Sequence, residues 1–278
     1  MRLCSHIRFD LTNGLFRRGM WARYLIWFGL FALSSLEFSG ELASLGLSRY
    51  TYGDYLLYLF GGMREYIPAP GEPFRIPYLW LIGHIGALYF TLHYMHDDLE
   101  GFGQQMILRS GSRAAWWLSK CVWNTAVVGL LYLIAWGAVF LFAAANHAIW
   151  SLEISPFMVE LVVIGPHQIP GADLSAALEI TFLPLLVTLA VSQIQMLLCL
   201  VVRPVISYVV SVVLFVASAY HLSPFLLGNY AMALRSGKIV SNGVSPVVGI
   251  GICLILILAG IVLGSVIFTK YNILSKEE

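Results

Sequence analysis

Charged residues are scarce in this sequence. Only 11% of its 278 residues are Asp, Glu, Lys or Arg, whereas 59% are hydrophobic. One soluble core needs far less apolar surface than this composition provides, so we predict an integral membrane protein. The net charge is +1 and no long basic run occurs, which leaves no electrostatic footprint for nucleic acid and excludes that class of partner.

Cysteines and catalytic motifs are also few. The four cysteines, at positions 4, 121, 199 and 253, form no CxxC pair, and the topology predicted below places none of them in an outward loop. Neither a disulfide framework nor a CxxC metal site is therefore available. The sequence has no HExxH motif and no P-loop. We predict that the chain is not an enzyme and does not hydrolyse ATP itself.

Long uncharged runs are what the sequence does contain. A helix needs about 20 apolar residues to cross about 30 Å of hydrocarbon. Six runs meet or approach this length, which predicts an all-α fold in one transmembrane domain, residues 1–278. The predicted spans are about 21–37, 76–96, 119–144, 180–202, 204–223 and 246–269. Glu37 ends the first run, so it either lies at the membrane surface or faces protein or water.

The distribution of Lys and Arg predicts the orientation of these spans. With both termini in the cytoplasm, the outer side holds five of the sixteen basic residues and the inner side holds the other eleven. This asymmetry favours cytoplasmic termini under the positive-inside rule. The five outer residues are Arg49, Arg64, Arg75, Arg235 and Lys238.

The N-terminal segment 1–20 precedes the first span. Its Leu3, Ile7, Leu11 and Leu15 recur every four residues, which predicts a helix lying in the inner membrane interface, with a break at Asn13–Gly14. An ordinary basic juxtamembrane anchor is the alternative.

The outward segments are irregular. The stretch 38–75 is rich in tyrosine and proline, and we predict a short helix within it at about 55–63. Before the last span, residues 223–237 read SPFLLGNYAMALRSG, an apolar stretch broken by proline and glycine. It predicts a broken extracellular hairpin whose free backbone groups are satisfied by protein or water.

The inner segment between spans two and three carries the densest polar cluster. On a helix, His93, His96 and Asp97 share one face, a spacing that a transition metal can use. A membrane enzyme using this cluster is one alternative for the chain. The other interpretation is a solvated helix end, and we prefer it because no second ligand motif accompanies the cluster.

The residues that follow predict an amphipathic helix over about 98–111. Leu99, Phe102 and Met106 fall on one side, with Glu100 and the glutamines at 104 and 105 away from it. Gly111 is suited to end this helix, and Ser112 to cap the next one. The tryptophans at 116, 117 and 123 predict that the next helix starts at the membrane interface.

The six-span plan, the short inner helix ending in LRSGSRAAWWLSK and the broken hairpin before span six together resemble the permease subunits of ABC-2 type ABC transporters. The resemblance extends to bacterial half-transporters with a separate ATPase, including those of peptide, drug and bacteriocin-immunity systems. It covers nearly the whole chain.

The resemblance implies a permease in the bacterial plasma membrane that exports a hydrophobic or amphipathic peptide, drug or lipid. The inner helix would be the coupling helix, and a nucleotide-binding subunit would bind it together with ATP and Mg, leaving this chain without a cofactor of its own. The other implied partners are a second permease copy or paralogue and membrane lipids. The implied ATPase contacts are Asp98, Glu100, Gln104, Gln105, Arg109, Ser110 and Arg113.

A substrate path is less clearly marked. Thr188, Ser192 and Gln195 form a polar stripe on the fourth span, which predicts either path lining or hydrogen bonding between helices. On the sixth span, Gly260 and Gly264 form a GxxxG pair that predicts close helix packing. Besides the permease and the metal enzyme, a purely structural or sensory membrane subunit is the third hypothesis.

Overall fold

The computed structural model of the protein describes residues 2–16, 19–46, 49–71, 73–110, 112–155, 157–158, 174–240 and 242–270. This part of the chain is mostly helical and contains no β-strand, only isolated bridges. The predicted all-α class is thereby confirmed.

The described residues up to Ser110 form six helices and one π-helical turn. Helix α1 (Arg2–Asp10) runs into the π-helical turn Leu11–Leu15, and α2 (Met20–Ser44) follows. Helix α3 (Tyr52–Phe60) is short, and α4 (Tyr78–Leu92) begins after Pro77. Two short helices follow α4: α5 (Tyr94–Glu100) and α6 (Phe102–Ser110).

The second half contains the longest helices. Helix α7 (Arg113–Ala145) begins at Ser112, whose side chain accepts a hydrogen bond from Ala115 N at 3.3 Å, so the predicted N-cap is confirmed. Helices α8 (Leu174–Leu198) and α9 (Pro204–Tyr220) follow. The 3₁₀ turns Leu227–Ala231 and Ala233–Arg235 precede the last helix, α10 (Pro246–Lys270).

Within the described residues, four helices are long and apolar enough to cross a membrane: α2, α7, α8 and α10. The other two predicted spans are shorter. Helix α4 has 15 residues and α9 has 17, which at 1.5 Å per residue gives about 23 and 26 Å. Helix α4 is short because Pro77 precedes its first residue and the chain turns at His93 before α5 begins.

The N-terminal segment differs from its predicted form at Asn13–Gly14. The chain continues there as a π-helical turn, and the side chains of Thr12 and Asn13 bond back to the carbonyls of Arg8 and Phe9. A Cβ on Gly14 would lie 2.1 Å from Trp123 Nε1. The glycine thus permits close packing on α7 and does not end the helix.

Two further predictions concern the start of α7 and the start of α3. Trp116, Trp117 and Trp123 are buried within the helix bundle, and the start of α7 at the membrane interface stays a prediction. Helix α3 begins earlier than predicted because Thr51 and Asp54 form a capping box.

Glycines on the last helix allow it to approach its neighbours. A Cβ on Gly260 would lie 2.7 Å from Gln193 Cγ, and one on Gly264 would lie 2.1 Å from Trp117. The close packing predicted for this GxxxG pair is therefore confirmed. Glu37 lies on the exposed surface of α2, where Tyr78 donates a hydrogen bond to its carboxylate at 3.3 Å.

Candidate functional site

A buried charge cluster lies where α1, α5 and α7 meet. Lys120 Nζ on α7 lies 2.5 Å from Asp10 Oδ1 on α1 and 2.6 Å from Asp98 Oδ2 on α5. The Lys120 side chain is only 1% exposed, and both carboxylates are buried beside it. We call Asp10, Asp98 and Lys120 the Lys120 cluster.

Hydrogen bonds from surrounding side chains complete the Lys120 cluster. Ser119 Oγ donates to Asp10 Oδ2 at 2.6 Å and Tyr94 OH donates to Asp10 Oδ1 at 2.9 Å. Trp116 Nε1 donates to Asp98 Oδ2 at 3.0 Å. The Lys120 ammonium also lies 4.8 Å and 4.9 Å from the Tyr94 and Trp116 ring centroids, within the range of a cation–π contact. Both carboxylates are therefore paired and hydrogen-bonded, as buried charges require.

His6 of α1 is buried close to the same charges. Burial lowers the pKa of His6, the Asp10 carboxylate opposes this shift, Lys120 adds to it, and Asp98 opposes it. Burial has the largest effect, so the neutral imidazole is favoured when α1 is in place.

The Lys120 cluster joins three segments that are distant in sequence. Because α1, α5 and α7 each supply one charged group, displacing any one of these helices breaks at least one buried ion pair. Removing a single partner from such a pair costs about 3–5 kcal/mol. The geometry thus links the position of the α5–α6 segment, residues 94–110, to that of the long helix α7.

The predicted ATPase contacts divide into inward-facing and outward-facing residues. Asp98 lies inside the Lys120 cluster, and Arg113 Nη1 donates to Thr269 O at the end of α10 at 2.9 Å. Glu100 is exposed and pairs with His96 at 3.3 Å. Gln105 is exposed and Gln104 half-buried. Arg109 and Ser110 belong to α6, but their side chains lie outside the described residues.

The predicted helix 98–111 is divided at Gly101, which has φ −111° and ψ −125°. On α6, Gly103 and Ile107 are buried and Met106 is half-buried. The side chain of Phe102, which the prediction placed on one face with Leu99 and Met106, lies outside the described residues. A Cβ on Gly103 would lie 2.2 Å from Asp98 Oδ2. Leu108 is 70% exposed, so the outward face of α6 presents an apolar side chain beside a polar one.

The candidate metal residues are not brought together. Within the described ranges, no group of three or more His, Cys, Asp or Glu side chains is arranged to hold a metal ion. His96 pairs with Glu100, while His93 and Asp97 lie at the surface. This arrangement matches the solvated helix end described above.

The candidate path residues lie within helix contacts. Thr188 Oγ1 is 2.8 Å from Tyr132 OH, Ser192 Oγ accepts a hydrogen bond from Asn124 Nδ2 at 2.9 Å, and Gln195 Nε2 donates to Leu88 O at 3.1 Å. All three are buried. These hydrogen bonds join α8 to α7 and α4. That the three residues line a substrate path stays a prediction.

A second buried cation, Arg235, lies in the segment predicted as the outer hairpin and binds carbonyl groups around it. Arg235 is 1% exposed, and carbonyl oxygens supply all but one of its hydrogen-bond acceptors. Ser218 and Ala219 belong to the last turn of α9, where carbonyls have no partner within the helix. Burial lowers the pKa of Arg235 to about 10, partly opposed by Glu65, which leaves it protonated at neutral pH. Its acceptors are the carbonyls of Met63, Arg64, Ser218, Ala219 and His221 and the amide oxygen of Asn229.

Sequence reasoning missed both buried cations. Lys120 was assigned to the cytoplasmic side among the other basic residues, although it directly precedes an uncharged run that continues to Leu152. A lysine next to so long an apolar run is expected to be buried, and a buried charge needs a partner of opposite sign. The partner itself could not be found, because Asp10 lies 110 positions away.

Comparison with known proteins gives one match. The family described as "Protein of unknown function (DUF2705)" matches residues 54–274. The match includes Asp98 and Lys120 and leaves out α1 with Asp10. No curated protein and no solved structure matches the chain.

Proposed function

We propose that this chain, which belongs to the DUF2705 family, is the membrane subunit of an ATP-driven transporter of the ABC-2 type. A separate nucleotide-binding subunit binds ATP and Mg and drives it. The proposal rests on the resemblance stated above and on one structural observation: the α5–α6 segment, which has exposed side chains such as Gln105 and Leu108, is joined through Asp98 to a buried lysine of α7.

This observation supplies what a motorless membrane subunit needs. A partner can drive it only by binding one of its conformations better than another. Gln105 and Leu108 offer the partner a polar and an apolar side chain on the same exposed surface. A displacement of α6 reaches α5, whose Asp98 is paired with Lys120, and so reaches α7.

The topology that accompanies this function has six spans in the bacterial plasma membrane. Helix α4 forms the second span, and α9 forms the fifth. Both termini and the α5–α6 segment are cytoplasmic, and the 3₁₀ turns 227–235 are extracellular. Two permease chains, identical or paralogous, flank an export path for a hydrophobic or amphipathic substrate, and the stripe Thr188, Ser192 and Gln195 lines the path once α7 and α8 separate.

Single cysteines test both the orientation and the partner. Of the four natural cysteines, only Cys4 is exposed, so a Cys4→Ser background leaves no exposed thiol among the described residues. In it, Leu108→Cys and Gln105→Cys report on α6, and Phe225→Cys reports on the opposite end of the bundle, where Phe225 is exposed. In intact cells, a membrane-impermeant maleimide should label Phe225→Cys and should label Leu108→Cys only after permeabilisation.

The same variants carry a crosslinker to the partner. We expect Leu108→Cys and Gln105→Cys to capture a nucleotide-binding ATPase identified by mass spectrometry, and Phe225→Cys to capture none. Labelling of Leu108→Cys from outside, or equal ATPase capture at Phe225→Cys, would contradict the proposal.

A further inference from the structure

An open cavity of about 560 Å³ lies beside the N-terminal segment. Its wall is formed by the π-helical turn, the first turn of α2, the end of α4 and the start of α5, together with Trp123 of α7. This volume is within the range of about 300–1,000 Å³ typical of small-molecule sites. None of the three charged residues of the Lys120 cluster lines the cavity, although Tyr94, which donates to Asp10, does.

Among the described residues that line the cavity, Arg23 carries a positive charge and Asp97 a negative one, and the imidazole of His93 lies between Phe90 and Asp97 in the sequence of the same wall. Arg23 is exposed at its mouth, and within the described ranges its guanidinium has only a weak acceptor, Met20 Sδ at 3.8 Å. Asp97 is also exposed there and has no ion pair with a described residue, unlike its neighbour Asp98. A guanidinium is suited to bind a phosphate, and a carboxylate is suited to bind an ammonium group.

Aromatic and apolar side chains surround these charges. Tyr89, Phe90, Tyr94 and Trp123 line the wall, and Trp123 Nε1 is buried without an acceptor among the described residues. Ile26, one turn beyond Arg23 on the same side of α2, is exposed. The charged cavity therefore opens next to an apolar helix surface, an arrangement that accommodates a ligand with a polar head and a hydrophobic tail.

We infer that this cavity binds the headgroup of a zwitterionic phospholipid, with Arg23 on the phosphate and Asp97 on the ammonium, while the acyl chains lie along the exposed surface of α2. The inference requires only that the helices lie in a membrane. It does not rest on the proposed transport function.

Native mass spectrometry of the full chain in detergent tests the assignment. The wild type is titrated with phosphatidylethanolamine, phosphatidylglycerol and soluble O-phosphoethanolamine. We expect a one-to-one phosphatidylethanolamine adduct held in preference to phosphatidylglycerol, and no displacement by the soluble headgroup at the same concentration. Preference for phosphatidylglycerol would overturn the role of Asp97, and displacement by O-phosphoethanolamine would overturn the lipid assignment.

Paired variants assign the two charges. Because each charged group makes a charge-assisted contact, we expect Arg23→Gln and Asp97→Asn each to reduce phosphatidylethanolamine binding about tenfold. Asp97→Asn should leave phosphatidylglycerol binding unchanged. The matched controls are Arg8→Gln and Glu100→Gln, which remove exposed charges of the same signs from the same end of the bundle but outside the cavity.

These variants lie at exposed positions and are expected to fold, which thermal melting of each one checks. If the cavity variants and the controls reduce binding equally, the cavity is not the site. The wild-type competition gives a second, independent outcome that needs no variant.

Discussion

The Lys120 cluster and the Arg235 site each bury one cation to about the same extent, but they balance it differently. Lys120 is paired with two carboxylates from two other helices. Arg235 is bound almost entirely by carbonyl oxygens, several of them at the C-terminal end of α9. Helix-end carbonyls are held by the backbone and move only with the helix, whereas a side-chain carboxylate can also leave its partner by rotating about its own χ angles. The comparison indicates that the Lys120 cluster is a movable contact between helices, a joint, at one end of the bundle. The Arg235 site is a fixed contact, an anchor, at the other end.

The largest expected effect comes from removing the cation of the Lys120 cluster. Lys120→Met leaves two carboxylates buried without their cation, so we expect a loss of about 3–5 kcal/mol in the free energy of unfolding. Denaturant unfolding in detergent micelles measures it. The control is Lys238→Met, because Lys238 is half-exposed and its pair with Glu179 should contribute at most about 1 kcal/mol. Equal losses in both variants would show that the Lys120 cluster is not buried as described.

The anchor is tested by Arg235→Lys. A lysine keeps the positive charge but cannot present five donors in a rigid fork, so some of the bound carbonyls lose their partners. We expect a loss of about 2–3 kcal/mol, since each buried unsatisfied group costs about 1–3 kcal/mol. Arg75→Lys at an exposed position is the control and should unfold like the wild type.

The two sites should also differ in how a mutation there affects the α5–α6 segment. Limited proteolysis of the α5–α6 segment should be unchanged in Arg235→Lys under native conditions. If this variant exposes the segment as strongly as Lys120→Met does, the contrast between joint and anchor is wrong.

A smaller effect is expected from Gly14→Ala, which acts on the attachment of α1 without touching a charge. The new methyl group would overlap Trp123 and Tyr94, and overpacking of this kind costs about 1–3 kcal/mol. Thermal melting measures the shift. Gly29→Ala has open space around its Cβ and should be neutral or slightly stabilising, so a similar loss there would point to a general effect on helices.

The smallest effect concerns the pH dependence contributed by His6. Because burial lowers its folded-state pKa below the ordinary 6.5, the unfolded chain binds the proton more readily. The stabilisation is therefore present above pH 6.5 and declines as the pH falls through that value. We expect a lower melting temperature at pH 5.5 than at pH 7.5. His6→Phe should reduce this difference, and an unchanged difference would exclude His6 as its source.

Much of the helical architecture follows from the sequence alone. The uncharged runs account for α2, α7, α8 and α10, because a long apolar stretch satisfies its backbone in a membrane only as a helix. The N-cap at Ser112 and the small residues Gly260 and Gly264 are local signals, and both predictions are confirmed. Local signals of this kind depend on neighbouring residues and are therefore readable without a structure.

Other features were readable only in part. The sequence marks 98–111 as amphipathic, yet it did not predict the division at Gly101, because a glycine is tolerated inside a helix as well as at its end. The polar stripe on α8 was recognised, while its partners Asn124 and Tyr132 on α7 depend on the rotation of one helix against another.

What the sequence by itself determined is therefore a helical protein that has helices long and apolar enough to cross a membrane and a short polar segment between two of its helices. The tertiary structure alone decided that Asp98 faces inward to Lys120, that Asp10 completes the pair from 110 positions away, and that Arg235 closes the end of α9. The physical reason is that apolar length and helical periodicity act locally along the chain. The pairing of a buried charge, in contrast, depends on which distant helix packs against it.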